Sequence, residues 1–420
     1  MQVTRPDPIF FTALAAFCVL LLHLWQQRGQ PIAEYKYPKA AFWLFVGYVV
    51  VAVIGALVLP WVFEGQPLNY MLDPDRNPVK GSLLPLTFSL SNIVQAANLC
   101  IHAVVLVYLL QAAQRKEWRR SGPILGLTAA LALALALGFY ERIAHILSWP
   151  SSISFWASNP GYLQEHSSII WGVKLLRIGV PFSEPSYLSV LMAAAMIGCL
   201  SILAFGRQRG WASLGTVLCG LGLFNTLGAT GWAAASLGLL GVMVWLAWRA
   251  WRNPRLRKWT LLLWMCAALT VASVATIALH APESSKITHS IKSQLTSRLD
   301  GDSWRQRSNE QAVTIIQKTA GLGVGLGSNR ASSFLASLFS NTGILGGALF
   351  LAMLCALWRG YARARTLTDV QLFTAVALAT AMLAMTLAIP DLNLPMFWAF
   401  IFLAFLYHPV LQKSTRQPEP

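Results

Sequence analysis

Apolar runs of membrane-spanning length, broken by short polar connections, recur along almost the whole of this 420-residue chain. A helix rising 1.5 Å per residue needs about 20 such residues to cross a hydrocarbon core. The pattern predicts eleven runs, at about 8 to 25, 41 to 63, 88 to 110, 122 to 140, 186 to 205, 211 to 228, 230 to 249, 259 to 279, 333 to 357, 370 to 389 and 395 to 411. Lipid offers backbone N–H and C=O groups no partners, so each run is expected to be a helix that satisfies its own. The expected fold is all-α, a polytopic transmembrane bundle of about 11 (10 to 12) helices forming a single integral membrane domain over 1–420. Ser89, Ser91, Asn92, Gln95 and Asn98 interrupt the third run, which predicts a helix facing the bundle interior. The first run continues into Arg28 with no small-residue cleavage site, so it is expected to stay in the membrane.

Composition agrees, with 56% hydrophobic and 11% charged residues, against about 25% charged in soluble domains. The net charge of +16 is largely explained by topology. Basic clusters at 115–120, 207–209, 249–258 and 359–365 follow the third, fifth, seventh and ninth runs and fall on one face, which the positive-inside rule makes cytoplasmic. A nucleic-acid partner is therefore not expected; the lipid bilayer is. Cys18, Cys100, Cys199, Cys219, Cys266 and Cys355 lie in or at the ends of apolar runs without close pairing, so they predict neither a disulfide framework nor a metal site.

The opposite face is expected to carry two long loops, 141–185 and 280–332, and loops of that length are commonly functional. In the first, Arg142 to Trp149 and Ile169-Ile-Trp171 mix apolar residues with charge, as a segment lying on the membrane surface would. It ends in Arg177-Ile-Gly179-Val-Pro181-Phe-Ser-Glu184-Pro185-Ser186, an arginine and a carboxylate seven residues apart. Two readings of Glu184 stand side by side. It is a reactive acid, or it is a first-turn acid behind an N-capping Ser183 and beside a helix-initiating Pro185, with Arg177 as its partner. The second loop has a basic excess on the face where positive charge is disfavoured, which points to an anionic ligand. Asp302 or Ser303 can cap a helix running to about Thr319, with Arg305 and Asn309 on one face. The stretch Gly321-Leu-Gly323-Val-Gly325-Leu-Gly327-Ser328 then leads into the ninth run. Its backbone amides suit a phosphate, or its glycines let the segment pack tightly; no Walker lysine and serine accompany it. His23, His102 and His408 read as packing or interfacial residues, while His145, His166, His280 and His289 lie outside the runs. Asp73-Pro-Asp75 and Asp300-Gly-Asp302 imitate metal-binding acidic pairs, a pattern frequent by chance.

Taken together, Arg177, Gly179, Phe182, Glu184, Pro185 and Ser186, then Ala229-Thr-Gly231, then Arg298, Trp304, Gly321 to Gly327 and Asn341-Thr-Gly343-Ile-Leu-Gly346, resemble the Wzy-type exopolysaccharide and O-antigen polymerases and the block these share with O-antigen ligases. The resemblance spans roughly residues 165 to 358. It implies a glycosyltransferase of the bacterial inner membrane that extends undecaprenyl-diphosphate-linked oligosaccharides on the periplasmic face, with a flippase and a chain-length regulator as partners. No nucleotide sugar is implied, so no metal and no other cofactor are expected. Arginine matches phosphate oxygens with a two-pronged fork, which makes Arg177 the expected pyrophosphate ligand with Arg298, Arg305, Arg307 and Arg330 behind it. Gly325, Gly327 and Ser328 are the expected backbone contacts, Glu184 the expected base, His289 a candidate assistant, and Glu165-His166 either a proton-transfer pair or a solvated surface pair. A ligase would place a functional histidine in the large outer loop, at His280 or His289. A flippase or other transporter is disfavoured because no inverted repeat is evident and the runs hold almost no ionisable residues. The motifs of cell-wall polymerases of the shape and division type are not evident.

Overall fold

The computed structural model describes residues 37–72, 78–113, 122–150, 167–170, 173–176, 184–226, 228–252, 304–364 and 366–412. In chain order they form α1 (Lys39–Val62), β1 (Pro67–Leu72), β2 (Pro78–Pro85), α2 (Leu90–Ala112), α3 (Gly122–Leu147), β3 (Ser167–Ile170), β4 (Val173–Leu176), α4 (Pro185–Phe205), α5 (Arg209–Thr226), α6 (Ala229–Arg252), α7 (Trp304–Lys318), α8 (Phe334–Arg363), α9 (Asp369–Ala388), α10 (Pro395–Leu406) and α11 (Pro409–Gln412). The fold is mostly helical, and every apolar run that falls among the described residues is a helix. The runs at 8 to 25 and 259 to 279 lie outside them. Six helices, α1, α2, α3, α4, α8 and α9, are long and apolar enough to cross a membrane, while Thr230–Trp245 and Pro395–Leu406 are shorter apolar stretches.

Burial separates the helices into a centre and a rim. The apolar windows of α4 and α9 are 61% buried and that of α8 50%, against 17 to 22% for α1, α2 and α3. The exposed apolar side chains of the rim, among them Trp43, Ile54, Trp61 and Leu125, therefore face outward, as they would toward lipid. At the centre α4 packs on α5, α6 and α9, and α8 packs on α1. Small residues let these helices approach closely. Met192, Ala193, Ala194 and Ala195 of α4 are fully buried, and a Cβ added at Gly198 would stand 2.7 Å from the Phe373 ring of α9. Phe45, Phe334, Phe350, Phe397 and Trp398 form an aromatic cluster of mostly edge-on contacts that joins α1, α8 and α10. His102 stacks on Trp398 and His408 packs edge-on against Tyr361, so both act as packing residues.

Three features differ from the sequence expectation. Helix α3 runs to Leu147, so the first long loop begins after it rather than at Glu141. Ala144 is buried against the bundle, and Arg142 donates to the Asn225 carbonyl (3.3 Å) at the end of α5, which holds these last turns in the helix. The bundle is also not purely helical. Antiparallel hairpins β1–β2 and β3–β4 lie in its connections, the second inside the long loop. The first hairpin occupies a connection that the hydropathy pattern leaves blank, and it carries α7. Leu68, Leu86, Ile315 and Val324 form a small separate core there, and Gln311 donates to the Leu68 carbonyl.

The two ends of the bundle are chemically distinct. At one end Asp369, beside the Thr368 capping box of α9, accepts from the amides of Arg207 (3.0 Å) and Gln208 (2.8 Å) and so ties the α4–α5 turn to α9. Arg207, Arg209, Arg359 and Arg363 gather there. The start of α4, the start of α8 and the α9–α10 connection lie at the opposite end with the β1–β2 hairpin and α7.

Candidate functional site

At that second end α4 begins with Glu184 as its N-cap residue, in extended conformation (φ −134°, ψ 139°), and with Pro185 in its first turn. The Glu184 side chain makes no capping bond, and no acid stands in the first helical turn. The reading of Glu184 as a first-turn acid behind a capping Ser183 is thus corrected. Its carboxylate instead accepts from the Ser186 hydroxyl (3.0 Å) and pairs with Arg330 (3.3 Å) from the segment that leads into α8. The Tyr187 hydroxyl, one helical turn on, lies 3.5 Å from the same guanidinium nitrogen.

A second carboxylate stands close by. Asp391, in the short α9–α10 connection, accepts from the Asn393 amide (3.0 Å). Burial pushes its pKa up, and the negative charge of Glu184 adds to this, against the opposing pull of the Asn393 amide and of Arg330. The two carboxyl groups stand in unlike surroundings, Glu184 paired with Arg330 and Asp391 half-buried in the α9–α10 connection. The Arg330 side chain is 59% exposed and that of Glu184 36%. An ion pair that open contributes only about 0–1 kcal/mol. The arrangement gains little stability from it, and an anionic ligand can displace Glu184 from the guanidinium at small cost.

The segment that delivers Arg330 is built into the bundle. Helix α8 breaks at Gly343 (φ 70°, ψ −179°), and the break leaves backbone groups that the helix itself cannot satisfy. Val324 and Gly325 donate to the carbonyls of Ser340 and Asn341 (2.9 Å each), and Ile344 donates to that of Gly321 (2.8 Å). Gly325 presses on α1, where a Cβ would meet the Gly55 carbonyl oxygen at 2.6 Å, and Gly327 presses on Ser91 at 2.7 Å. Asn92, fully buried, donates to the Leu326 carbonyl and the Ser328 hydroxyl (2.7 Å each), so this polar residue of α2 faces inward, while Ser91 is exposed.

This placement corrects the phosphate-cradle reading of Gly325 and Ser328, whose amides are taken within the protein. The amides of Gly321, Leu322, Gly323, Val324, Gly325, Ser328 and Asn329 are all bonded within the protein, and the glycines serve close approach to α1, α2 and α8. Of the expected arginines, Arg330 joins Glu184, while Arg305 is exposed and Arg307 half-buried on α7. Arg177, Arg298, Glu165, His166 and His289 lie outside the described residues. Sequence reasoning missed Tyr187 and Asp391 as members of the site. Tyr187 carries a signal in its spacing, one turn from Glu184; Asp391 carries only its isolation as the one acid in the connection between two apolar helices.

No family model matches the chain, and no curated protein is similar to it.

Proposed function

We propose that the protein is a membrane glycosyltransferase that polymerises undecaprenyl-diphosphate-linked repeat units into exopolysaccharide or O-antigen at the periplasmic face of the bacterial inner membrane. The observation that carries this reading is Arg330. It is an exposed guanidinium paired with Glu184 and 3.5 Å from the Tyr187 hydroxyl, at the bundle end away from the basic turns. A fixed cation at the mouth of an apolar bundle suits an anionic headgroup whose lipid tail stays in the bilayer.

The chemistry follows from the ion pair. Diphosphate oxygens compete with Glu184 for the Arg330 fork, and their binding releases the carboxylate. Glu184 then takes the proton of an acceptor sugar hydroxyl. That oxygen bonds to the anomeric carbon of the donor glycan as the carbon–oxygen bond to the diphosphate breaks, and the lipid diphosphate leaves with its electron pair stabilised by Arg330.

Deleting the gene and analysing lipid-linked glycans tests the assignment. Accumulation of single lipid-linked repeats is expected. Accumulated long lipid-linked polymer would instead mark a ligase, and loss of repeats from the outer face a flippase. Orientation is tested by thiol labelling with a membrane-impermeant reagent. Leu322→Cys, in the glycine segment that leads to Arg330, should react in cells whose outer membrane alone is opened, and Gln208→Cys only after the inner membrane is breached. The reverse pattern would put the cluster in the cytoplasm and sink the reading.

A further inference from the structure

The residues that hold Arg330 are as specific as the arginine itself. Arg330 sits in an irregular stretch, Asn329 to Ser333, between the glycine segment and α8. Four of the backbone amides in this stretch are bonded to side chains. Asn341 Oδ1 accepts from the Asn329 amide (3.1 Å), Ser337 Oγ from that of Ala331 (3.2 Å), and Asn309 Oδ1 from those of both Ser332 (2.9 Å) and Ser333 (3.1 Å). Asn341 grips from the other side too, its Nδ2 donating to the carbonyls of Asn329 and Ser337 (2.8 Å each). The Asn329 side chain is held in turn by the Ser340 hydroxyl (2.8 Å).

A loop that only joined two elements would leave these amides to water or to its own turns. Here side chains from two helices fix the backbone immediately before and after one exposed cation. Asn341 projects from α8 just before its break at Gly343, so the break and the grip belong to one construction. Asn309 comes from α7, the helix outside the bundle, four residues from Arg305 and on the same face.

We propose that Asn341 and Asn309 are positioning residues that aim the Arg330 guanidinium at the departing diphosphate. This rests on the reading of Arg330 as the diphosphate ligand. The two amides have different jobs. Asn309 acts only as an acceptor, which a carboxylate can replace. Asn341 accepts and donates at once, which a carboxylate cannot do. A displacement of about 1 Å at a catalytic group can cost about 100-fold in rate.

The test measures elongation of lipid-linked repeat units, extracted from cells lacking the protein, by the full-length chain in membranes. Asn309→Ala and Asn341→Ala should each lower turnover about 100-fold with KM little changed. Asn309→Asp should restore activity and Asn341→Asp should not. In an Arg330→Lys background the Asn309→Ala loss should shrink to about threefold or less, because lysine has no fork to aim. Hydrogen exchange supplies a readout that does not depend on the reaction. The amides of Ser332 and Ser333 should lose protection in Asn309→Ala and keep it in Asn309→Asp. Full activity in Asn309→Ala with those amides deprotected would overturn the proposal, as would an undiminished loss in the Arg330→Lys background. Failure of the parent reading looks different: Arg330→Ala itself would be fully active.

Discussion

Arg330→Ala is expected to abolish polymer formation while leaving the protein folded and in the membrane. The expected loss of turnover is about 100- to 1000-fold, the range seen when one preorganised donor to a developing oxyanion is removed. The stability change is small, because an ion pair this exposed contributes about 0–1 kcal/mol and is screened by salt. Arg330→Lys keeps the charge and loses the fork. One hydrogen bond to a charged group, about 1.5–3 kcal/mol, corresponds to about 10- to 100-fold in rate. The measurement is polymer yield and elongation rate against protein quantified in the membrane fraction. Normal polymer from Arg330→Ala at normal protein level removes the diphosphate from this guanidinium. Glu184→Gln separates the two halves of the pair. It leaves Arg330 in place and removes the Glu184 charge, so donor binding should hold or tighten while turnover falls about 100-fold, within the range for a lost general base.

The bundle was legible in the chain because each membrane helix carries its own signal. Leucine, alanine and valine in long runs predicted α1, α2, α4, α8 and α9 to within a few residues, since the need for self-satisfied backbone bonds depends on length and apolarity alone. Helix α7 was legible for another reason, in that it has helix-forming residues between a capping pair and a glycine segment. The β1–β2 hairpin was not. Its strands are short, and what stabilises them is Ile315 and Gln311, more than 200 residues further along the chain. The site divides in the same way. Glu184 and Arg330 were both named from charge in outer loops, but nothing local to either sequence says that they meet across 146 positions. Arg177, the expected leading pyrophosphate ligand, lies outside the described residues, and within them Arg330 is the arginine that meets Glu184. The glycine segment misled because glycine before a helix serves two ends. Exposed amides favour a phosphate, but only if nothing else takes them, and here the broken α8 takes them.

That division of labour makes Gly343 a sensitive backbone position. At φ 70° and ψ −179° it occupies a region essentially reserved for glycine, where another residue costs about 1–3 kcal/mol. A side chain there would also meet the carbonyl oxygens of Leu322 and, at 2.6 Å, Gly321. The clash cannot be relieved by a rotamer change, because both neighbours are backbone atoms. Moving them apart breaks the bonds from Ile344 to Gly321 and from Val324 to Ser340, and each unsatisfied group in apolar surroundings adds about 1–3 kcal/mol. Gly343→Ala is therefore expected to cost upwards of about 3 kcal/mol, enough to deplete the protein from membranes and lower its melting temperature in detergent. Gly126→Ala on α3 is the matched control. A Cβ there has nothing within 4 Å, the helical backbone suits alanine, and stability should hold or rise by about 0.5–1 kcal/mol. Equal protein levels and equal melting temperatures for the two variants would mean that the helix break is not what holds the Arg330 segment in place. A selective loss in Gly343→Ala ties the arginine to a membrane helix that is broken in order to present it.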